Sequence, residues 1–201
     1  MHIEPIELGP MGNCTYLIAE GGEALLIDPA WDPDYLIRYI TQKQLHLCGV
    51  LFTHGHFDHV KFSDKLLRHF KLKAYLQEQD TALAGLPADV LQTYRGDQTV
   101  HIGPFDARIL ATAGHTAGGV CILIKDALFT GDTLFPGACG RVDLPSSDPR
   151  EMLRSLRRLA ALDGDTRIFA GHNYGGRCSS TIGEEKLKNP FMRNALRAEE
   201  I

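Results

Sequence analysis

No apolar run in this 201-residue chain approaches the roughly 18 residues that a membrane-spanning helix needs. Basic residues are not in excess either. Lys and Arg number 21 against 25 Asp and Glu, a formal net charge of -4, which argues against a nucleic-acid binder. The N-terminus, Met1-His-Ile-Glu-Pro-Ile-Glu7, has neither the basic start nor the apolar stretch of a secretory signal. None of the five cysteines belongs to a C-x-x-C pair, and their number is odd. Without an export signal this does not read as a disulfide framework, and the expectation is a reducing, cytoplasmic compartment. Cys14, Cys48 and Cys121 sit in apolar, β-like runs and are expected to be small buried hydrophobes. Cys139 lies in a Gly-rich loop. Low-complexity segments, linkers and repeats are absent, so one domain over residues 1–201 is expected.

The order of elements follows from hydrophobic period and capping signals. Short β-like runs occupy 2–8, 14–19 and 23–28, with Gly21-Gly22 as a hairpin turn. Asp32-Pro33 caps a helix to about Gln42 whose Tyr35, Leu36, Tyr39 and Ile40 face inward. Residues 48–53 read as a buried strand, 62–70 as a helix, 72–76 as a strand and 77–84 as helical, followed by a loop with Pro87 and Gly96. Strands are expected at 98–102, 106–112, 119–125, 127–130 and 166–170. Asp148-Pro149 opens an amphipathic helix to about Leu162 with Met152, Leu153, Leu156, Leu159 and Leu162 as its apolar stripe. Its Arg150, Arg154, Arg157 and Arg158 read as a solvated face. A capping box at Thr181 and a restart at Asn189-Pro190 give two last helices. The pattern is that of an α/β layered sandwich, with helices covering paired sheets.

Four of the nine histidines fall between His54 and His69. The segment Thr53-His54-Gly55-His56-Phe57-Asp58-His59 directly follows the buried strand 48–53. In extended chain, residues i and i+2 point to one side, so His54 and His56 can grip one ion together. A turn then lets Asp58 and His59 face the same pocket. Imidazole and carboxylate suit zinc, iron or manganese. Two ions need more donors, and three strand-end, Gly-rich turns offer them: Gly114-His115-Thr116, Gly131-Asp132-Thr133 and Gly171-His172-Asn173. Glycine beside a ligand permits tight turns and close backbone approach. His2, His46, His69 and His101 fit no such pattern and are read as surface or structural.

The motif His54-x-His56-x-Asp58-His59, followed in order by His115, Asp132 and His172, resembles that of the metallo-β-lactamase superfamily over essentially the whole chain. The resemblance implies a four-layer αββα sandwich of two mixed β-sheets flanked by helices, with the site at one edge between the sheets. It also implies two divalent metal ions, zinc first, with iron or manganese as alternatives. His54, His56 and His115 would bind the first ion; Asp58, His59 and His172 the second; Asp132 would bridge them. Water held by such ions loses a proton near neutral pH and becomes a nucleophile, and Asp58 would orient it or accept its proton.

Gly131-Asp132-Thr133-Leu134-Phe135 with Gly140-Arg141-Val142-Asp143-Leu144-Pro145 resembles the glyoxalase II group, hydrolases of glutathione thioesters. The ending Thr181 to Phe191 resembles that of its compact members. Only 29 residues follow His172, so the helical extension that helps long members hold glutathione is not expected. The implied substrate is a thioester of glutathione or a similar thiol. His172-Asn-Tyr174-Gly-Gly176, Ser180-Thr181 and Asn189-Pro190 are also similar to persulfide dioxygenases, which hold one Fe(II) on the counterparts of His54, His115 and Asp132. Arg141, Tyr174, Arg177 and Lys61 are candidates for contacting substrate. For Arg141, an equal alternative is a buried ion pair with Asp143 that packs the loop. Lys61 marks a departure, because Val60-Lys61-Phe62 stands where these families place a small or Gly-containing turn. A non-catalytic metal-binding module is the competing class. Antibiotic hydrolysis and nucleic-acid processing are not expected, nor is any membrane partner.

Overall fold

The computed structural model describes residues 1–198. The first sheet is built from β1 (His2–Leu8), β2 (Asn13–Glu20), β3 (Glu23–Ile27), β4 (His46–Leu51), β5 (Ala74–Gln77) and β6 (Leu91–Tyr94), in that spatial order. The second contains β7 (Gln98–Ile102), β8 (Phe105–Ala111), β9 (Val120–Ile124) and β10 (Ala127–Gly131); β11 (Leu134–Phe135) and β12 (Ala138–Cys139) form a small separate ribbon. Two further strands, β13 (Arg167–Ala170) and β14 (Ser179–Thr181), complete the second sheet in the order β14-β13-β10-β9-β8-β7. Both sheets are mixed. In the first, β1 to β3 run antiparallel and β3 to β6 parallel. In the second, only β10 and β13 are parallel.

The layers follow from the two-residue period of a strand. In β2, Tyr16 and Ile18 point between the sheets, where they meet Leu25, Ile27, Phe105, Ile122 and Phe129. Leu17, one residue out of phase, points the other way with Leu26, Val50 and Phe52. Helices α1 (Pro33–Gln42), α2 (Phe57–Val60), α3 (Ser63–Phe70) and α4 (Thr81–Ala84) are inserted among the strands of this sheet, and Leu36, Ile40, Leu66 and Leu67 of α1 and α3 cover its outer face. On the far side α5 (Pro149–Ala160), α6 (Ile182–Lys188) and α7 (Pro190–Arg197) cover Leu110, Leu128 and Ile168 with Met152, Leu156, Leu159, Ile182 and Met192. This is the expected sandwich of two mixed sheets flanked by helices. Among the described residues no helix is long and apolar enough to cross a membrane.

The capping expectations hold. Asp32 and Asp148 accept from the first turns of α1 and α5, each followed by Pro at the start, and Thr181 accepts from Glu184 N. Some local readings are corrected. The stretch after Pro87 contains β6, an edge strand held by its parallel pairing with β5. Residues 77–84 are not one helix but a 3₁₀ turn at Glu78–Asp80 and then α4. Tyr35 and Tyr39 do face inward: half-buried, they pack against the apolar layer beneath α1 and stack on each other. The arginine face of α5 is only partly solvated. Arg157 donates to the Ala195 and Ala198 carbonyls at the end of α7, and Arg158 to Asp97 and Ala111 O. Cys14 and Cys121 are buried as expected, whereas Cys48 is half-buried.

Candidate metal centre

Strand ends deliver the seven expected donors to one place. The backbone leaves β4 at Leu51, and His54 lies three residues beyond, 2% exposed. His56 caps the single turn of α2, which turns the buried Asp58 and His59 back toward His54. Asp132 follows β10 and His172 follows β13; because these strands are parallel, both residues emerge at the same edge. His115 arrives on the loop between β8 and β9. Gly171 is required by close approach, since a Cβ there would lie 2.5 Å from Asp132 Oδ1 and 2.8 Å from His59 Cε1.

The donors form two groups. Ligand atoms of His54, His56 and His115 lie within 4.8 Å of one another, and so do those of Asp58, His59 and His172. Asp132 stands between them: Oδ2 is 3.4 Å from both His115 Nε2 and His172 Nε2, and Oδ1 is 3.4 Å from His59 Nε2. Four imidazoles are aimed by their other nitrogen. His59 Nδ1 pairs with Asp28 Oδ2 at 3.0 Å, His115 Nδ1 with Arg141 O at 2.9 Å, His172 Nδ1 with Met11 O at 3.0 Å and His54 Nδ1 with Thr53 Oγ1 at 3.1 Å. Each contact leaves Nε2 for the centre, which is how proteins fix the tautomer of a metal-binding histidine.

Charge is distributed unevenly. Burial, reinforced by neighbouring imidazoles, holds His54 well below the usual histidine value, so its ring is neutral. His56 is lowered in the same way. Burial also opposes a charged His59, but the carboxylates of Asp132 and Asp28 outweigh it and raise that ring well above its usual value. In His172, burial is overcome by hydrogen bonds to Asp132 and Asp58, which lift it to about 9. Burial acts against ionised Asp58 and Asp132 as well. For Asp58, the His172 hydrogen bond, the His59 charge and Asn13 prevail and hold it at about 2; for Asp132, His59 and His172 hold it well below the carboxylate range.

The donor set fits two divalent cations. Imidazole nitrogens and carboxylate oxygens converge in a buried space, and two buried polar atoms, His54 Nε2 and Asp132 Oδ1, have no hydrogen-bond partner. Such atoms are costly to bury unpaired, and an ion answers both. A third cluster, Asp28 with His54 and His59, also has ligand-like spacing. There Asp28 already accepts from Thr53 N, Thr53 Oγ1 and His59 Nδ1, so it serves as an orienting carboxylate.

The four candidates for substrate contact divide. Tyr174 stacks on His172, with centroids 4.6 Å apart, and is 67% exposed. It shares a cavity of about 240 Å³ with Phe135, Pro136, His172 and Arg177. Arg177 is paired with Glu184. Arg141 pairs with Asp143 through two hydrogen bonds, but the pair is exposed, not buried, because the loop runs over the surface; the backbone carbonyl of Arg141 is what reaches His115. Lys61 is drawn onto the Trp31 and Phe62 rings, 5.5 and 4.9 Å from their centroids. His2, His46, His69 and His101 are all exposed.

Sequence reasoning missed the residues that hold the donors. Asp28 sits at the end of β3 and carried the weak signal of an acid closing an apolar run. Asn13 donates to both the carboxylate and the carbonyl of Asp58. Asp80, 1% exposed, accepts from Gly55 N, Thr116 Oγ1 and Gly118 N, tying the His54–His56 loop to the His115 loop. Neither Asn13 nor Asp80 stands in a local motif.

Comparison with known proteins agrees with this geometry. A family model described as the metallo-beta-lactamase superfamily matches residues 8–172. The chain is 31% identical to a probable polyketide biosynthesis zinc-dependent hydrolase, PksB, of Bacillus subtilis, covering 86% of this chain and 79% of that one. It is 32% identical to the hydroxyacylglutathione hydrolase GloC of Haemophilus influenzae, covering 90% and 93%. The crystal structure of ETHE1 from Myxococcus xanthus superposes with a TM-score of 0.85 at 28% identity, covering 98% and 91%.

Proposed function

We propose, from the premise that this chain belongs to the metallo-beta-lactamase superfamily, that it is a metal-dependent hydrolase of a thioester of glutathione or a similar thiol. The observation that carries the reading is the pair of donor groups joined by Asp132. His54, His56 and His115 would hold one divalent ion, Asp58, His59 and His172 a second, and Asp132 both. Zinc is the first choice, as the PksB similarity supports, with iron or manganese as alternatives. Bound there, such ions supply the Lewis acidity that activates water and polarises a carbonyl.

The chain's own groups do the rest. Asp58 stays ionised at neutral pH, so its carboxylate can orient the attacking water and take its proton. Asn13 keeps that carboxylate from turning away. Tyr174 presents its ring to an anionic thiol carrier, the cavity beside His172 receives part of it, and Arg141 and Arg177 would exchange their Asp143 and Glu184 partners for its carboxylates. Lys61 would contribute only long-range positive charge. The GloC similarity supports a glutathione thioester in particular.

A second reading, a mononuclear iron dioxygenase acting on glutathione persulfide, is favoured by the resemblance of His172-Asn-Tyr174-Gly-Gly176, Ser180-Thr181 and Asn189-Pro190 to persulfide dioxygenases, beside the match to ETHE1. It would use His54, His115 and Asp132 alone. One preparation separates the readings. Protein purified without added metal is assayed for metal content, for cleavage of a hydroxyacylglutathione and for O₂ uptake with glutathione persulfide. Two ions per chain with thioester cleavage support the hydrolase. One iron, O₂ uptake and no cleavage would overturn it. Metal without either turnover would leave a binding module.

A further inference from the structure

Two of the five cysteines stand apart from the others. Cys14 lies at the start of β2 in the first sheet, 3% exposed, with its side chain in the layer between the sheets. Cys178 immediately precedes β14 in the second sheet, is half-buried, and packs against that same layer. Both are anchored to one short stretch of backbone: Cys14 N donates to Gly171 O, and Ala170 N donates to Cys178 O, each at 2.8 Å. Between them Tyr16 donates its hydroxyl to Ala170 O at 2.5 Å. The two thiols neighbour each other and Tyr16, and the Cys14 thiol donates to Gly12 O at 3.8 Å.

We propose that Cys14 and Cys178 are a redox-active dithiol that closes to a disulfide when the protein meets a peroxide, fastening the first sheet to the second. The two cysteines have different parts in this. Burial pushes the thiols of Cys121 and Cys139 up to about 11. Cys178 goes the other way, to about 6, because the Cys14 thiol beside it favours its thiolate. Cys178, half-buried beside the exposed residues 174–177, is the thiol that a peroxide reaches and the nucleophile; Cys14, 3% exposed, is the resolving partner. The Cys178 thiolate attacks one peroxide oxygen, the O–O bond breaks, and the departing hydroxide takes up a proton to become water. Cys178 is left as a sulfenic acid. The Cys14 sulfur then displaces hydroxide from it, giving up its own proton to form a second water and the S–S bond. Two thiols lose two electrons and two protons, and one peroxide becomes two waters.

The segment that must move is the accommodating one. Cys178 ends the exposed stretch Tyr174-Gly175-Gly176-Arg177, in which Gly176 adopts φ +79°, while Cys14 is fixed within a central strand. Nearly the whole chain lies between the two cysteines. A link between such distant positions restricts the unfolded chain strongly, so the oxidised form should melt higher, by roughly 10 °C for a domain of this size.

The test uses zinc-loaded protein treated with a small molar excess of hydrogen peroxide, then with an alkylating reagent, and mapped by peptide mass. The expected result is a Cys14–Cys178 cross-linked peptide, reversed by dithiothreitol, present in C48S and absent in C178S, with the melting temperature of the oxidised wild type raised. The proposal is overturned if both thiols remain open to alkylation after peroxide, if Cys178 is carried on to a sulfinic acid with Cys14 still free, or if the oxidised protein melts no higher than the reduced one.

Discussion

Asn13 Nδ2 lies 2.9 Å from Asp58 Oδ2, and its orientation is set from the other side by Trp31, whose indole N–H donates to Asn13 Oδ1 at 3.0 Å. The amide therefore has one way to face, with its NH₂ toward the carboxylate. An N-terminal strand residue thus steers a donor 45 positions away. Asn13→Ala should weaken the second metal position by about 10- to 100-fold, the usual effect of removing a group that supports a ligand. Titration against a chelator of known affinity checks this. Unchanged affinity would mean that Asp58 needs no steering.

Asp132 places its two carboxylate oxygens 3.4 Å from histidines of both donor groups: His115 of the first, His59 and His172 of the second. Asp132→Ala should empty both positions or nearly so, and activity should fall by more than about 100-fold, beyond the range of supporting groups. Far-UV circular dichroism should change little, because the residue packs against other donors and not against the apolar core. Full activity in this variant would refute the bridging role.

Loading the second position should release protons. His59 and His172 are both raised by neighbouring carboxylates, His172 to about 9, so at pH 7 each metal-free ring carries a proton that an entering ion displaces. Affinity at that position should fall as the pH drops below 9, since protons then compete more strongly. His54 is held neutral and loses none. Calorimetry at pH 7 in buffers of different ionisation enthalpy reads the number directly. Heats independent of the buffer would contradict it.

Asp80 distinguishes the two positions. Both its oxygens face donors: Oδ2 takes Gly55 N and Thr116 Oγ1, and Oδ1 takes Gly118 N. Asp80→Asn puts an NH₂ against at least one backbone N–H in a buried place. The first position, whose His54, His56 and His115 sit on the two joined loops, should weaken by about 10- to 100-fold while the second holds. Cobalt substitution followed by optical absorption would report each position. Equal weakening of both would mean that Asp80 serves the fold in general.

His101→Ala should be silent. The residue is exposed and pairs only with Asp106 across the β7–β8 hairpin, where such a contact contributes about 0–1 kcal/mol. A large loss of activity would show that part of the site lies elsewhere.

How much of this could be read beforehand depended on whether the signal was local. The seven donors were legible because each sits beside glycine or another donor at the end of an apolar run. The sandwich was legible because a strand such as β8 alternates between buried and exposed from Phe105 to Ile109. β6 was not, since its four residues hold one fully buried side chain and rely on β5 for pairing. Asn13, Asp28 and Asp80 act across 25 to 45 positions of sequence, where no spacing rule reaches. The ion pair of Arg141 with Asp143 was foreseen, but its exposure was not, because nothing local shows which way a surface loop turns its side chains.

The parallel pairing of β10 with β13 has a consequence for how such a protein changes over time. It brings Asp132 and His172 to one edge as fixed furniture, while the exposed side chains of Met11 and Tyr174 sit on connecting segments that touch His172 and play no part in the apolar core. Replacing them alters what the mouth of the site accepts without disturbing the groups that perform the reaction. Residues at the mouth and residues that converge as donors can therefore vary separately, so a descendant can change what enters the site by exchanging a few surface residues.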